Sequence, residues 1–215
     1  LYGEILKHTP ENPRWLDRDR FVLSAGHGSM LLYALLYLSG YDMSLDDIRR
    51  LRRVGSKAAG HPEYGLAEGI ETTTGPLGAG FATAVGMAVS EKKLAYRFNT
   101  PEQCIIDHYT YVLAGDGCLM EGVSAEAASL AGHLRLGKLI VFYDANSVSI
   151  EGPTDITFTE DVCARFRAYG WQTLEGSAHD YAGIRALVRN ARADTERPTL
   201  IRLESVMGRG APRME

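Results

Sequence analysis

The stretch that decides the fold runs from residue 111 to residue 152 and reads YVLAGDGCLMEGVSAEAASLAGHLRLGKLIVFYDANSVSIEG. Residues 111–114 and 139–144 are short runs of aliphatic, aromatic and β-branched side chains, which predict two buried strands. Between them, residues 123–136 repeat small and apolar side chains at helical spacing, and Gly137 offers a left-handed end to this helix. The stretch is therefore predicted to form a parallel strand-helix-strand unit.

Polar residues stand at the ends of both predicted strands. Asp116 follows the first strand and Asn146 follows the second. Because ligands collect outside the carboxyl ends of neighbouring parallel strands, these two oxygen donors are expected to converge. A carboxylate, an amide oxygen and a loop carbonyl suit Mg²⁺ or Ca²⁺, and Gly115 and Gly117 let a diphosphate approach the backbone. We predict a metal-diphosphate site here, although a Gly-Asp-Gly triplet by itself indicates only a tight turn.

Predicted strands and helices alternate along the remaining sequence. Strands are predicted at residues 20–24, 171–174 and 200–203, and helices at residues 30–38, 44–53, 75–98 and 181–191, with a further helix ending at Gly170. Residues 55–74 show no periodicity, which is typical of a functional loop. This order predicts an α/β fold in which helices flank a doubly wound, mostly parallel sheet, formed as a single domain over residues 1–215.

Polar side chains predict where three of these helices begin. Ser29 can cap the helix at its start, and Ser44 with Asp47 three residues later approximates a capping box. Thr157 or Thr159 can cap the helix that ends near residue 170.

The composition argues against a nucleic-acid-binding protein, a membrane protein and a protein held together by disulfides. The 215 residues carry a formal net charge of −4, and no basic cluster stands out, so no nucleic-acid partner is expected. No apolar run is long enough to cross a membrane, so no membrane partner is expected either. The 3 cysteines show no paired spacing, which predicts reduced thiols and a cytoplasmic location.

Several motifs, taken together, resemble the transketolase family. The octapeptide GDGCLMEG at 115–122, with LAG at 130–132 and DAN at 144–146, is similar to that family's thiamine diphosphate signature. Further blocks follow in family order, namely DRDRFVLSAGHGS at 17–29, GHPEY at 60–64, ETTTGPLG at 71–78 and AYGW at 168–171. The match covers nearly the whole chain and corresponds to the N-terminal, thiamine-diphosphate-binding domain.

The resemblance implies a metal and a cofactor with their ligands. The expected ligands of Mg²⁺ or Ca²⁺ are Asp116, the side chain of Asn146 and the backbone carbonyl of Val148. The expected cofactor is thiamine diphosphate. Its expected binding residues are His27, Gly75, Pro76, Leu77, Asp116, Gly117, Asn146 and His179, of which residues 75–77 reach the aminopyrimidine.

Three histidines are the catalytic residues that the resemblance implies. His27, His61 and His179 occupy family positions on loops, where they would line the channel to the reactive carbon of the cofactor. An imidazole suits that place because, near neutral pH, it can donate or accept a proton at a hydroxyl or carbonyl of a sugar.

The implied reaction transfers a two-carbon ketol unit from a ketose phosphate to an aldose phosphate. The expected partners are sugar phosphate substrates and a pyrimidine-binding domain or subunit, in a homodimer or a heterotetramer. The chain by itself is expected to lack turnover because that domain is absent from it. Two alternatives stay open: a non-catalytic subunit that binds the cofactor, and a related enzyme such as dihydroxyacetone synthase.

The sequence also departs from the family pattern. Ala25 and Ala79 stand where the family usually has Asn and Gln, and Ala145 stands where a polar residue is common. Ser177 and Ala178 replace the Asp-Gly pair before His179. These differences concern expected substrate contacts more than the metal ligands.

Overall fold

The computed structural model describes residues 1–150 and 152–211. Its strands are β1 (Arg20–Leu23), β2 (Thr110–Gly115), β3 (Leu139–Ala145), β4 (Val148–Ser149), β5 (Gly152–Pro153), β6 (Gln172–Ser177) and β7 (Thr199–Glu204). Five of them form one sheet in the order β1-β2-β3-β7-β6, with every neighbouring pair parallel. Strands β4 and β5 form a separate antiparallel hairpin. The predicted parallel sheet is confirmed.

Seven α-helices connect the strands within the described residues. They are α1 (Ser29–Leu38), α2 (Leu45–Arg49), α3 (Ala79–Phe98), α4 (Asp116–Met120), α5 (Gly122–His133), α6 (Val162–Ala168) and α7 (Tyr181–Ala193). None of the helices in the described ranges is long and apolar enough to cross a membrane.

Successive strand side chains point to opposite faces of the sheet, and each face has its own apolar core. Val112 and Val141 belong to the core shared with α3, α5 and α6, whereas Tyr111 and Phe142 belong to the core shared with α1 and α7. Helices therefore cover both faces, as the predicted doubly wound arrangement requires.

Because the five strands are parallel, their carboxyl ends lie along one edge of the sheet. The ladder pairs Gly115 at the end of β2 with Asp144 of β3, and Ala145 at the end of β3 with Glu204 of β7. The segments that follow these strands are consequently neighbours, which is where the sequence places its site residues.

Two predicted helix caps are wrong. Ser29 lies inside α1, and its hydroxyl instead donates to the carbonyl oxygen of Gly60 at 3.0 Å, which ties the helix to the long loop. Asp161, rather than Thr157 or Thr159, caps α6 by accepting the backbone N–H of Ala164 at 2.9 Å. The predicted capping box of Ser44 is present at α2.

Three predicted helix ends also shift, each for a backbone reason. Helix α2 stops at Arg49, and Arg52, which was predicted to be helical, has a φ of 62°. Helix α3 begins at Ala79 because Gly78, with a φ of 78°, cannot continue a right-handed helix. At the end of α5 the left-handed residue is Arg135, with a φ of 51°, and not Gly137. Gly137 has no side chain for another reason, since a Cβ there would lie 2.0 Å from the carbonyl oxygen of Thr195.

Candidate functional site

Asp116 is the first residue of α4 and directly follows β2, with 6% of its surface exposed. Its Oδ1 atom accepts the hydroxyl of Tyr143 at 2.5 Å. Its Oδ2 atom accepts the backbone N–H groups of Asn146 and Ser147 at 3.2 and 3.1 Å. The carboxylate therefore links the end of β2 to the end of β3.

The loop after β3 is shaped to make these contacts. Ser147 has a φ of 59°, a left-handed conformation that non-glycine residues seldom adopt. This turn directs two consecutive backbone N–H groups at one oxygen of Asp116, a predicted metal ligand. The strained backbone at Ser147 therefore lies next to the candidate site, and strained residues often cluster at functional sites.

The side-chain amide of Asn146 is oriented by two neighbours. Its Oδ1 atom accepts the backbone N–H of Val148 at 3.0 Å, and its Nδ2 atom donates to Asp144 at 3.4 Å. Asp144 in turn accepts the hydroxyl of Ser205, which follows β7. The amide oxygen keeps one lone pair free for a further partner.

A cavity of about 380 Å³ brings together six of the predicted site residues. Its walls include His27 after β1, Leu77 before α3, Asp116 and Gly117 after β2, and Asn146 and Val148 after β3. A Cβ on Gly117 would lie 2.9 Å from Leu77 Cδ1, so a side chain there would displace the end of Leu77, whereas the glycine leaves the backbone accessible to a ligand.

The predicted metal ligands in this cavity offer oxygen atoms, while His27 and Cys118 add an imidazole and a thiol to its wall. Within residues 1–150 and 152–211, no group of three or more His, Cys, Asp or Glu side chains is arranged to hold a metal. The predicted ligands, namely one carboxylate, one amide oxygen and one loop carbonyl, would form a hard donor set, and Asp144 adds a second carboxylate to the cavity wall. Oxygen donors of this kind fit a Mg²⁺ or Ca²⁺ ion that also carries phosphate oxygens and water.

Burial, together with the hydrogen bond to Asp116 and its negative charge, raises the pKa of Tyr143 far above the ordinary value. The hydroxyl is consequently protonated near neutral pH and acts as the donor in its hydrogen bond to Asp116.

His61 lies outside the cavity that His27 lines, but the two are connected through one turn. Gly75 packs against the ring of His61, because a Cβ on Gly75 would lie 3.5 Å from that ring. Gly75 also packs against Gly26, the residue before His27, because a Cβ on Gly26 would lie 2.9 Å from the backbone nitrogen of Gly75. The exposed His61 itself lines a separate cavity of about 690 Å³ that contains Arg52 and Lys57.

His179 follows β6 and is partly exposed. Its Nε2 atom accepts the backbone N–H of Val206 at 3.3 Å, and the next residue, Met207, lines the cavity with Asp116. Ser177, which departs from the family pattern, accepts the backbone N–H of His179 at 3.2 Å. Four predicted site residues are therefore absent from the cavity wall. His179 follows β6 at the same edge of the sheet, and the others lie in the adjoining turn and loop, namely His61, Gly75 and Pro76.

Sequence reasoning missed the residues that hold the predicted ligands, namely Tyr143, Asp144 and Ser147. The alternation of β3 contained a signal for the first two, because Tyr143 shares the core face with Val141, whereas Asp144 points the other way. The left-handed turn at Ser147 could not be predicted, because the residue that adopts the positive φ is a serine and not a glycine or an asparagine.

The chain matches, over residues 1–215, the family described as transketolase, thiamine diphosphate binding domain. The chain belongs to the transketolase family. A transketolase from Treponema pallidum is 62% identical over 215 residues, which are 100% of this chain and 32% of that protein.

Solved transketolase structures share the fold. A transketolase from Leishmania mexicana superposes with a TM-score of 0.93 at 49% identity, over 95% of this chain and 31% of that one. A transketolase from Pichia stipitis in complex with sedoheptulose 7-phosphate gives 0.91 at 50% identity, over 93% of this chain and 30% of that one. The chain therefore spans about a third of the length of the transketolases it matches.

Proposed function

We propose that this chain is the cofactor-binding domain, over residues 1–215, of an enzyme that transfers a two-carbon ketol unit from a ketose phosphate to an aldose phosphate. The observation that carries the proposal is the cavity in which Asp116, Gly117 and Asn146 follow two neighbouring parallel strands. Its oxygen donors suit a divalent cation, and its glycine backbone suits a diphosphate.

Each predicted residue has a specific part in this proposal. Asp116, the Asn146 amide and the Val148 carbonyl hold Mg²⁺ or Ca²⁺, while Gly117, Asn146 and His27 contact the diphosphate of thiamine diphosphate. Residues 75–77 contact its aminopyrimidine. When bound, this cofactor supplies the electron sink for carbon–carbon bond cleavage.

The histidines serve proton transfer and substrate orientation in the same proposal. His27 lies in a short 3-10 helix after β1, His179 follows β6, and His61 lies in a loop that packs against Gly75. From these positions the imidazoles would accept or donate protons at the hydroxyl and carbonyl groups of a sugar. The Pichia stipitis transketolase is described in complex with sedoheptulose 7-phosphate, which supports a sugar phosphate as the class of substrate.

The proposal includes a partner, because the chain corresponds to about a third of the transketolases it matches. A pyrimidine-binding domain or subunit is needed for turnover, in a homodimer or heterotetramer. A cytoplasmic location is also proposed, supported by the free thiols of Cys104, Cys118 and Cys163.

Ketol transfer from xylulose 5-phosphate to ribose 5-phosphate tests the proposal. The chain alone is expected to be inactive, and the chain with its complementary domain, thiamine diphosphate and Mg²⁺ is expected to be active. Asp116→Ala should abolish that activity and the metal-dependent cofactor binding. Full activity of the unassisted chain would refute the requirement for a partner, and undiminished cofactor binding by Asp116→Ala would refute the site.

A second candidate function is a subunit that binds the cofactor without turnover. It is favoured by Ala25, which lines the cavity where the family usually has Asn, and by Ala79 in place of Gln. Calorimetry would then show cofactor binding, while the assembled enzyme would show no transfer. A related enzyme such as dihydroxyacetone synthase would instead transfer the ketol unit to an acceptor that replaces ribose 5-phosphate in the assay.

A further inference from the structure

The carboxylate of Asp116 has little acceptor capacity left. An ionised carboxylate offers about four lone-pair positions. The two backbone N–H groups from Asn146 and Ser147 occupy Oδ2, and the hydroxyl of Tyr143 occupies one position on Oδ1. One lone pair, on Oδ1, therefore remains for another partner.

We infer that Tyr143 is a positioning residue of the metal site, whose hydroxyl fixes the rotation of the Asp116 carboxylate so that Oδ1 presents a single lone pair to the cation. This inference rests on the proposed function, because it assigns Asp116 as a metal ligand. Tyr143 touches neither the cofactor nor the substrate in this arrangement and acts only through Asp116.

The position of Tyr143 suits it to hold a ligand still. Its side chain is 5% exposed and belongs to the apolar core between the sheet and α3, α5 and α6. Its backbone is paired on both sides, with Ala114 of β2 and with Arg202 of β7. Since β3 is a central strand, the hydroxyl has a fixed origin, and its short bond to Asp116 fixes the carboxylate plane.

A second cavity explains what would replace the hydroxyl if it were removed. This cavity of about 340 Å³ is lined by Asp116 and Tyr143 together with polar residues such as Glu175 and Arg202. It is polar and large enough to hold water. In Tyr143→Phe, water can therefore solvate Oδ1, and the carboxylate would be held only at Oδ2, by the N–H groups of Asn146 and Ser147.

Loss of that orientation affects the two candidate ions unequally. Mg²⁺ demands near-ideal octahedral geometry with short ligand distances, whereas Ca²⁺ accepts longer distances and irregular coordination. A carboxylate that is fixed at Oδ2 alone can pivot at Oδ1, which should cost more affinity for Mg²⁺ than for Ca²⁺. This inequality distinguishes a positioning residue from one that only supports the fold.

The experiment measures Mg²⁺ and Ca²⁺ affinity by calorimetry in the presence of thiamine diphosphate, with this chain assembled with its remaining transketolase domains. The variants are Tyr143→Phe and the matched Tyr111→Phe, another buried tyrosine on the adjacent strand. The hydroxyl of Tyr111 accepts from Arg192 at 2.8 Å on the opposite face of the sheet. Urea unfolding of each variant measures any general loss of stability.

Tyr143→Phe is expected to weaken Mg²⁺ binding roughly tenfold, as outer-shell substitutions at metal sites commonly do, and to weaken Ca²⁺ binding by a smaller factor. Tyr111→Phe is expected to leave both affinities unchanged. Unchanged affinities in Tyr143→Phe, or equal losses for both ions, would overturn the inference while leaving the proposed function intact. Failure of the unmodified protein to bind either ion with the cofactor would overturn the proposed function itself.

Discussion

The backbone carbonyl oxygen of Tyr169 lies 1.8 Å from the point that a Cβ atom on Gly132 would occupy. Helix α5 thus meets the turn between α6 and β6 with no room for a side chain. The indole N–H of Trp171 donates to the carbonyl of Ala128 at 2.8 Å, one turn earlier on α5, and holds this contact in place.

Gly132→Ala is therefore expected to lower the free energy of unfolding by about 3 kcal/mol, because one of two backbone segments must move away. Urea unfolding of the chain measures the change. Gly86→Ala is the matched control, since Gly86 lies in α3 with nothing within 4 Å of its missing Cβ. It should raise the free energy of unfolding by about 0.5–1 kcal/mol. Equal stabilities of the two variants would contradict the close contact.

His108 should make the stability depend on pH. It is 4% exposed, and burial, followed by the positive charge of Arg20, lowers its pKa to about 4. Because the unfolded chain binds this proton near pH 6.5, the stabilisation is complete above that pH and is lost as the pH falls toward 4. The loss between pH 7 and pH 5 should be about 2 kcal/mol.

Urea unfolding at both pH values, in wild type and in His108→Gln, tests this origin. The variant should lose less stability on acidification than wild type does. His133→Gln, a change at an exposed histidine, should retain the wild-type difference between the two pH values. A His108→Gln profile parallel to that of wild type would assign the acid sensitivity to other groups.

The left-handed turn at Ser147 permits a matched pair of substitutions. Proline cannot adopt a φ of 59° and has no N–H for Asp116, so Ser147→Pro should weaken Mg²⁺-dependent cofactor binding by roughly tenfold or more. Ser147→Gly keeps the N–H and adopts this φ freely, so its affinity should stay within about twofold of wild type. Calorimetry with thiamine diphosphate gives both values, and equal affinities would show that the turn is dispensable.

Ser44 contributes through the capping box of the short helix α2. Its hydroxyl accepts the backbone N–H of Asp47 at 3.0 Å, and the Asp47 carboxylate accepts the backbone N–H of Ser44 at 2.9 Å. Ser44→Ala should lower the free energy of unfolding by about 1 kcal/mol. Ser90→Ala removes only an exposed hydrogen bond within α3 and should change stability little. Equal effects of the two changes would argue against the cap.

The sheet and the placement of the candidate ligands could be predicted because both follow from short-range patterns. The buried strands around Asp116 and Asn146 are bounded by glycine and polar residues, and parallel pairing brings their ends together. Several helix ends could not be predicted, since they depend on distant groups. Ser29 bonds to a loop instead of its own helix, and Gly137 is small because Thr195 lies above it.

The same limit applies within the candidate site. Alternation places Tyr143 on the core face, but only the structure shows that its hydroxyl meets Asp116. A tyrosine in a buried strand is ordinarily read as packing. The helix α4 after Gly115 was likewise predicted as a turn, because a single helical turn has too few residues for periodicity to show.

The residues proposed to bind the cofactor follow four different strands: His27 follows β1, Asp116 follows β2, Asn146 follows β3 and His179 follows β6. Strands β1 and β6 are the two edge strands of the sheet. A ligand that contacts all four segments therefore links the two edge strands to each other. At a hundred times its dissociation constant, such a ligand adds about 2.7 kcal/mol to the resistance of the entire domain to unfolding. Supply of the cofactor is then expected to govern how long the polypeptide survives proteolysis.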